Sequence, residues 1–168
     1  ENCNLWAEKW HQKNRSTFDF VFDETGLDIK SFGGHNREHF FKIEQLKNET
    51  VEQTLILSLC LREADDGKNV LDLFQALKKK ITRKSSIEKI QKLIFKLAGK
   101  DIKDARRYST KIASSTLLLL KGDDIPKLDP KNTPTGVSEI KFKSDCSNVV
   151  GLTFDEKLQK AIESNVII

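Results

Sequence analysis

The chain has 168 residues, 38% apolar and 32% charged, with a net charge of +4. That length fits one ordinary domain, 1–168, able to bury roughly two thirds of the surface its unfolded chain exposes. The composition describes a soluble globular protein and excludes a membrane-spanning one, since the longest apolar runs, such as Leu117–Leu120, are four residues.

Residues 1–15 carry Trp6 and Trp10 at an i, i+4 spacing, which predicts a short amphipathic helix docking on the core. From 16 to 32 the pattern alternates. Phe18, Phe20 and Phe22 share one face, Asp23-Glu24-Thr25-Gly26 supplies turn chemistry, and Leu27-Asp28-Ile29-Lys30-Ser31-Phe32 alternates again, a β-hairpin signature. Residues 37–47 fit a strand or a helix. Leu55, Leu57, Leu59 and Leu61 mark a central strand, ended by Asp65-Asp66-Gly67-Lys68. Together these give a β-meander over 16–62.

The second half changes period and predicts a three-helix basic layer over 69–121. Asn69 caps the first helix, with Val70, Leu71, Phe74 and Leu77 inward. Ser85 and Glu88 form a capping box for the second, ending at Gly99. Asp101 caps the third, which runs through Ile112 and Leu120 to Gly122. Residues 122–136, with all three prolines, read as a loop, and 137–168 as a terminal strand and helix. The fold class expected is α+β: an N-terminal β-meander packed against a basic, predominantly helical C-terminal half.

Charge is distributed unevenly. Residues 1–77 carry 9 basic and 14 acidic side chains, residues 78–111 carry 13 and 3, and residues 112–168 carry 7 and 8. On helical spacing Lys89, Lys92 and Lys96 form one stripe, and Lys103, Arg107 and Lys111 another, with Lys100 and Arg106 beside them. Like charges so placed repel by a few tenths of a kcal/mol per pair. Either the acidic N-terminal half neutralises them, or they meet phosphates or an acidic protein surface.

Two patterns suggest catalysis. His35-Asn36-Arg37-Glu38-His39 matches H-x-x-E-H; on a helix His35 and His39 would share a face able to hold Zn²⁺, with Glu38 as general base. Asp129 followed by Glu139-Ile140-Lys141 on a strand resembles the D…E-x-K pattern of metal-dependent nucleases. That resemblance implies Mg²⁺ held by Asp129 and Glu139, with Lys141 positioning or activating the attacking water.

Cys60 reads as a buried free thiol, while Cys3 and Cys146 could pair if the chain ends meet. Asn14-Arg15-Ser16 and Asn48-Glu49-Thr50 are glycosylation sequons that matter only in a secreted protein. No signal peptide is visible. Glu1 opens the chain and methionine is absent, so it reads as processed or trimmed, with a leader possible before it.

The reading that follows is a non-enzymatic, cytoplasmic or nuclear protein that binds RNA or single-stranded DNA through its basic helical face, with no cofactor and no membrane contact. The alternatives are a protein–protein interaction module, such as a secreted effector or toxin component, and a metal-dependent nuclease using Asp129, Glu139 and Lys141.

Overall fold

In the computed structural model, which describes residues 2–10, 17–46, 50–98, 106–132 and 134–164, the aromatic alternation becomes a hairpin. Strand β1 (Phe20–Phe22) turns at Asp23-Glu24 into β2 (Thr25–Phe32), with Phe20 opposite Leu27 and Phe22 opposite Thr25. Asp23 has φ 48°, a left-handed value that Asp tolerates better than most side chains. The side chain of Phe18 lies over Gly26, where an added Cβ would come within 2.6 Å of the ring. Alternation sends Phe20, Phe22 and Leu27 into one core, and Asp28 and Lys30 to the opposite face.

The chain then leaves the sheet. Strand β3 (Glu38–Lys42) and the single-turn helix α2 (Ile43–Leu46) cross to β4 (Gln53–Cys60), which therefore returns parallel to β2, with Leu27 opposite Leu55 and Lys30 opposite Ser58. Following β4, β5 (Glu63–Lys68) forms only isolated bridges to Tyr108. β6 (Leu118–Lys121) pairs antiparallel with β4, and β8 (Leu152–Thr153) with β6. The main sheet runs β1-β2-β4-β6-β8, while β3 pairs with β7 (Lys141–Asp145) in a separate ribbon.

These pairings correct the expected fold class. A meander needs antiparallel neighbours throughout, and the crossover through β3 and α2 makes β2 and β4 parallel. Nor is the C-terminal half predominantly helical, since it supplies β6, β7 and β8. Leu117–Leu120 had been read as the end of a helix. It forms β6 because Leu119 and Leu120 are buried on opposite faces of the sheet, in two different cores.

Helices form where capping and period agree. α1 (Cys3–Lys9) is capped by Asn2, and α3 (Val70–Lys78) by a capping box between Asn69 and Asp72. α4 (Lys84–Ala98) follows, then the short α5 (Thr110–Ser115), capped by Ser109, and α6 (Glu156–Glu163), capped by Asp155. The expected caps Gly99 and Asp101 lie outside the described residues, as do Asn14 and Asn48 of the sequons. Residues expected to be a plain loop contain 3₁₀ turns at Gly122–Asp124 and Pro130–Asn132.

Three clusters organise the packing. Trp6 of α1 and Trp10 just after it, with Leu158 and Ile162 of α6, cover one sheet face. Ala7 joins Phe74, Ile81, Ile90 and Ile94 to dock α3 and α4 outside α1. On the other face, Phe41, Leu46, Cys146 and Ile125 seal Ile56 and Leu120 beneath the β3–β7 ribbon. Cys3 belongs to the second cluster and Cys146 to the third, so the two do not pair. All three cysteines are free. Among the described residues no helix is long and apolar enough to cross a membrane.

Candidate active site

The ribbon-side face of β2 carries an interacting group of charges. Extending the β1–β2 register by one position past Phe20–Leu27 sets Asp19 opposite Asp28. Directly opposed residues share a face, with Cβ atoms about 5 Å apart. Asp19 Oδ2 accepts the Ile29 backbone N–H at 2.9 Å, which holds its carboxylate there. Asp28 is only 5% exposed. Two positions on, Lys30 Nζ lies 2.7 Å from Asp28 Oδ2 and 5.6 Å from the centre of the Phe41 ring.

Helix α2 completes the group. Gln45 Nε2 donates to Asp28 Oδ2 at 2.9 Å and to the Thr17 carbonyl at 3.3 Å, while its Oε1 accepts from the Lys42 N–H at 2.9 Å. One amide thus ties the end of β3 to the carboxylate and to the segment before β1. Burial raises the Asp28 pKa to about 6. Lys30 pulls it down, and the Asp19 carboxylate pushes it further up. Two carboxylates against one ammonium leave a site short of positive charge.

Further along the same face, Ser58 of β4 is fully buried opposite Lys30. Arg37 Nη1 donates to Ser58 Oγ at 2.5 Å and to the Ser58 carbonyl at 3.1 Å, and its Nη2 to the Thr116 carbonyl at 2.9 Å. His39 Nε2 stands 2.7 Å from Ser58 Oγ. Arg37 can only donate, so the Ser58 hydroxyl keeps a hydrogen that can point at Nε2. Burial pushes the His39 pKa down to about 4, helped by the charges of Arg37 and Lys30.

The residues singled out from sequence fare differently. His35 is exposed in the bend before β3, whereas His39 is buried at 2%. His35 lies in a bend and His39 on a strand, so the two do not share a helical face. Glu38 meets Lys143 at 2.5 Å. The zinc arrangement therefore does not form, and among the described residues no group of three or more His, Cys, Asp and Glu could hold a metal.

Asp129 is exposed, its Oδ1 accepting the Lys131 N–H at 2.9 Å. Glu139 is exposed at φ 55°, and β7 begins only at Lys141, so Glu139 is not on the strand. Lys141 Nζ lies 4.9 Å from the centre of the Phe40 ring.

The basic stripes are partly neutralised from within. Arg106 meets Glu63 at 2.9 Å, and Arg107 meets Asp72 at 3.1 Å and the Gly67 carbonyl at 2.8 Å. Lys89 donates to the Glu8 carbonyl at 2.8 Å, and Arg83 pairs with the Glu8 carboxylate. Lys92, Lys96 and Lys111 are exposed, and Lys100 and Lys103 lie outside the described residues.

Sequence reasoning missed Asp19, Asp28, Lys30 and Gln45. The (D/E)-x-K triplet also occurs at Asp66, Asp101, Asp129, Glu139 and Asp155, so the triplet alone decides nothing. The distinguishing signal was its setting. Only Asp28-Ile29-Lys30 interrupts the polar side of a hairpin strand, with a second Asp at the mirrored position of the partner strand.

A family model described as "Putative PD-(D/E)XK family member, (DUF4420)" matches residues 6–147. A search of the curated proteins finds no match, and neither does a search of the solved structures. The family match overturns the expectation of a non-enzymatic RNA- or single-stranded-DNA-binding protein acting through a basic patch. Of the alternatives it supports the metal-dependent nuclease.

Proposed function

The chain belongs to the DUF4420 family, and from that premise we propose that it is a divalent-metal-dependent nuclease whose site is Asp19, Asp28, Lys30 and Gln45. In the family pattern Asp19 takes the place of the first Asp, with Phe18 in place of its proline, and Asp28-Ile29-Lys30 takes the place of (D/E)XK. The observation that carries the reading is the buried Asp28 carboxylate with Lys30 Nζ 2.7 Å away and the Asp19 carboxylate held beside it on the Ile29 N–H. The nuclease reading is thereby kept, and its residues move from the Asp129–Lys141 segment to β1 and β2.

The donor set suits a hard cation: two carboxylates, one raised in pKa by burial and by its neighbour, in a site with one compensating ammonium. Asp19 and Asp28 would hold Mg²⁺, which when bound supplies Lewis-acid polarisation of a phosphodiester and a lowered water pKa. The remaining work falls to the chain. Above about pH 6 Asp28 is ionised and available as a ligand. Lys30, released from its ion pair once Asp28 is otherwise engaged, can hold a phosphoryl oxygen or orient the attacking water. Gln45 fixes the Asp28 carboxylate plane, and the Phe41 ring keeps the Lys30 ammonium from swinging into solvent.

The test is cleavage of plasmid and linear DNA by the full chain with Mg²⁺ or Mn²⁺. Activity that needs the metal and disappears in Asp28→Asn and Lys30→Ala is expected. Cleavage that persists in those variants, or that survives chelation of all divalent metal, would sink the assignment.

A further inference from the structure

Two partly buried cations of this protein meet a carboxylate, Lys30 at Asp28 and Arg107 at Asp72. Arg37 does not. Its side-chain contacts are the Ser58 carbonyl, Ser58 Oγ, the Thr116 carbonyl and the Phe32 ring, whose centre is 4.7 Å from Cζ. All four are neutral. The ionisable groups that act on it are the thiols of Cys60 and Cys146, while burial lowers its pKa. The adjacent imidazole of His39 is held neutral. A guanidinium has five N–H groups, and three hydrogen bonds leave donors unspent.

A charge withdrawn from water without a counter-charge is unfavourable unless something supplies one. Ser58 lies directly across from Lys30, so Arg37 sits one strand over from the catalytic lysine on the same face. Two residues along a strand is about 6.6 Å and one strand across about 4.8 Å, which sets Ser58, the residue the Arg37 guanidinium grips, from Asp28 at the scale on which phosphates follow one another along a polynucleotide. We propose that Arg37 binds a backbone phosphate flanking the scissile one, with Ser58 and Thr116 anchoring the guanidinium so that its free edge is preorganised for a bidentate contact. This rests on the nuclease reading. It assigns Arg37 to substrate positioning, not to the chemical step.

The test measures DNA binding by fluorescence anisotropy in EDTA, so that no metal-dependent cleavage intervenes, over a series of salt concentrations. Arg37→Gln is expected to weaken binding about 10-fold and to reduce the slope of log affinity against log salt by about 0.9, one phosphate contact. Arg37→Lys keeps the charge and should keep the slope. Because Arg37 also ties β3 to β4, Arg37→Gln could fail to fold. A scan of the wild-type chain against short duplexes, each carrying one neutral methylphosphonate linkage, then decides alone.

One flanking linkage should cost the wild type as much affinity as Arg37→Gln does, and the two losses should not add. An unchanged slope in Arg37→Gln, or a scan that is flat away from the cut position, overturns the proposal. With Mg²⁺ added, a wild type that cleaves but gives a flat scan rejects the Arg37 subsite and spares the nuclease reading. A wild type whose binding depends on Arg37 but that never cleaves with Mg²⁺ or Mn²⁺ rejects the nuclease reading instead.

Discussion

Asp28-Ile29-Lys30 and Glu139-Ile140-Lys141 are nearly the same triplet, and the fold gives them opposite fates. The first lies inside an eight-residue strand, where the period of two holds both charged side chains on one face and the ribbon covers them. The second straddles a strand start. Glu139 is turned out by its positive φ, and Lys141 spends its charge on the exposed ring of Phe40. What separates them is burial and a second carboxylate: burial lifts the Asp28 pKa to about 6, and the neighbouring Asp19 pushes it the same way. A motif acquires chemistry from what the sheet sets across from it.

The sharpest way to break this comparison is catalytic. Asp28→Asn and Lys30→Ala should each lower metal-dependent cleavage by at least about 10²-fold, while Glu139→Gln and Lys141→Ala leave it within about 2-fold. The reverse ranking would return the site to the second triplet. Mg²⁺ should raise the melting temperature of the wild type by mass action and do nothing for Asp28→Asn.

The next effect is on stability and runs against function. A folded pKa near 6 against an ordinary value of 3.8 means that Asp28 favours the folded state below pH 4 and loses that contribution as pH rises through 6. At neutral pH the buried carboxylate is therefore a burden of up to about 3 kcal/mol, and Asp28→Asn should be the more stable protein. His39 runs the other way. Lowered from 6.5 to about 4, it favours folding above pH 6.5 and loses that contribution as pH falls through 4. The two slopes offset each other in the wild type. Chemical denaturation at pH 7 and pH 4 should show Asp28→Asn losing about 2 kcal/mol more than the wild type on acidification. A variant that tracks the wild type at both pH values would show that Asp28 titrates normally and that the two triplets differ less than burial implies.

How much of this was legible in the sequence depends on distance along the chain. The Phe18–Phe22 alternation, the turn after it and the capped helix at Asn69 are local, and they read correctly. Leu117–Leu120 did not, because four leucines fit a helix end and a doubly buried strand equally well, and only β4 and β8 on either side decide. The basic segment misled for the same reason. Its neutralising partners Glu8, Glu63 and Asp72 lie 35 or more residues away, as with Arg107 and Asp72, so the excess charge looked available when part of it was already engaged. Asp28 was visible throughout, as the polar half of an alternating strand. Its chemistry was not, because nothing local marks Asp19 as its partner except a register that the turn must first set.

A smaller effect belongs to Gln45, which donates to the Asp28 carboxylate. Its amide donates to Asp28 Oδ2 and, through Thr17, ties down the chain just before Asp19. Gln45→Leu keeps the volume and removes the hydrogen bond to the carboxylate. A hydrogen bond to a charged group contributes about 1.5–3 kcal/mol, but Lys30 still holds the same oxygen at 2.7 Å, so the loss should fall at the low end, about 10-fold in kcat. KM should hardly move, because Gln45 orients a ligand-bearing carboxylate and is not itself part of the surface assigned to the substrate. A rise in KM at unchanged kcat would place the amide in substrate contact instead, and Gln45→Glu would then weaken binding by charge repulsion alone.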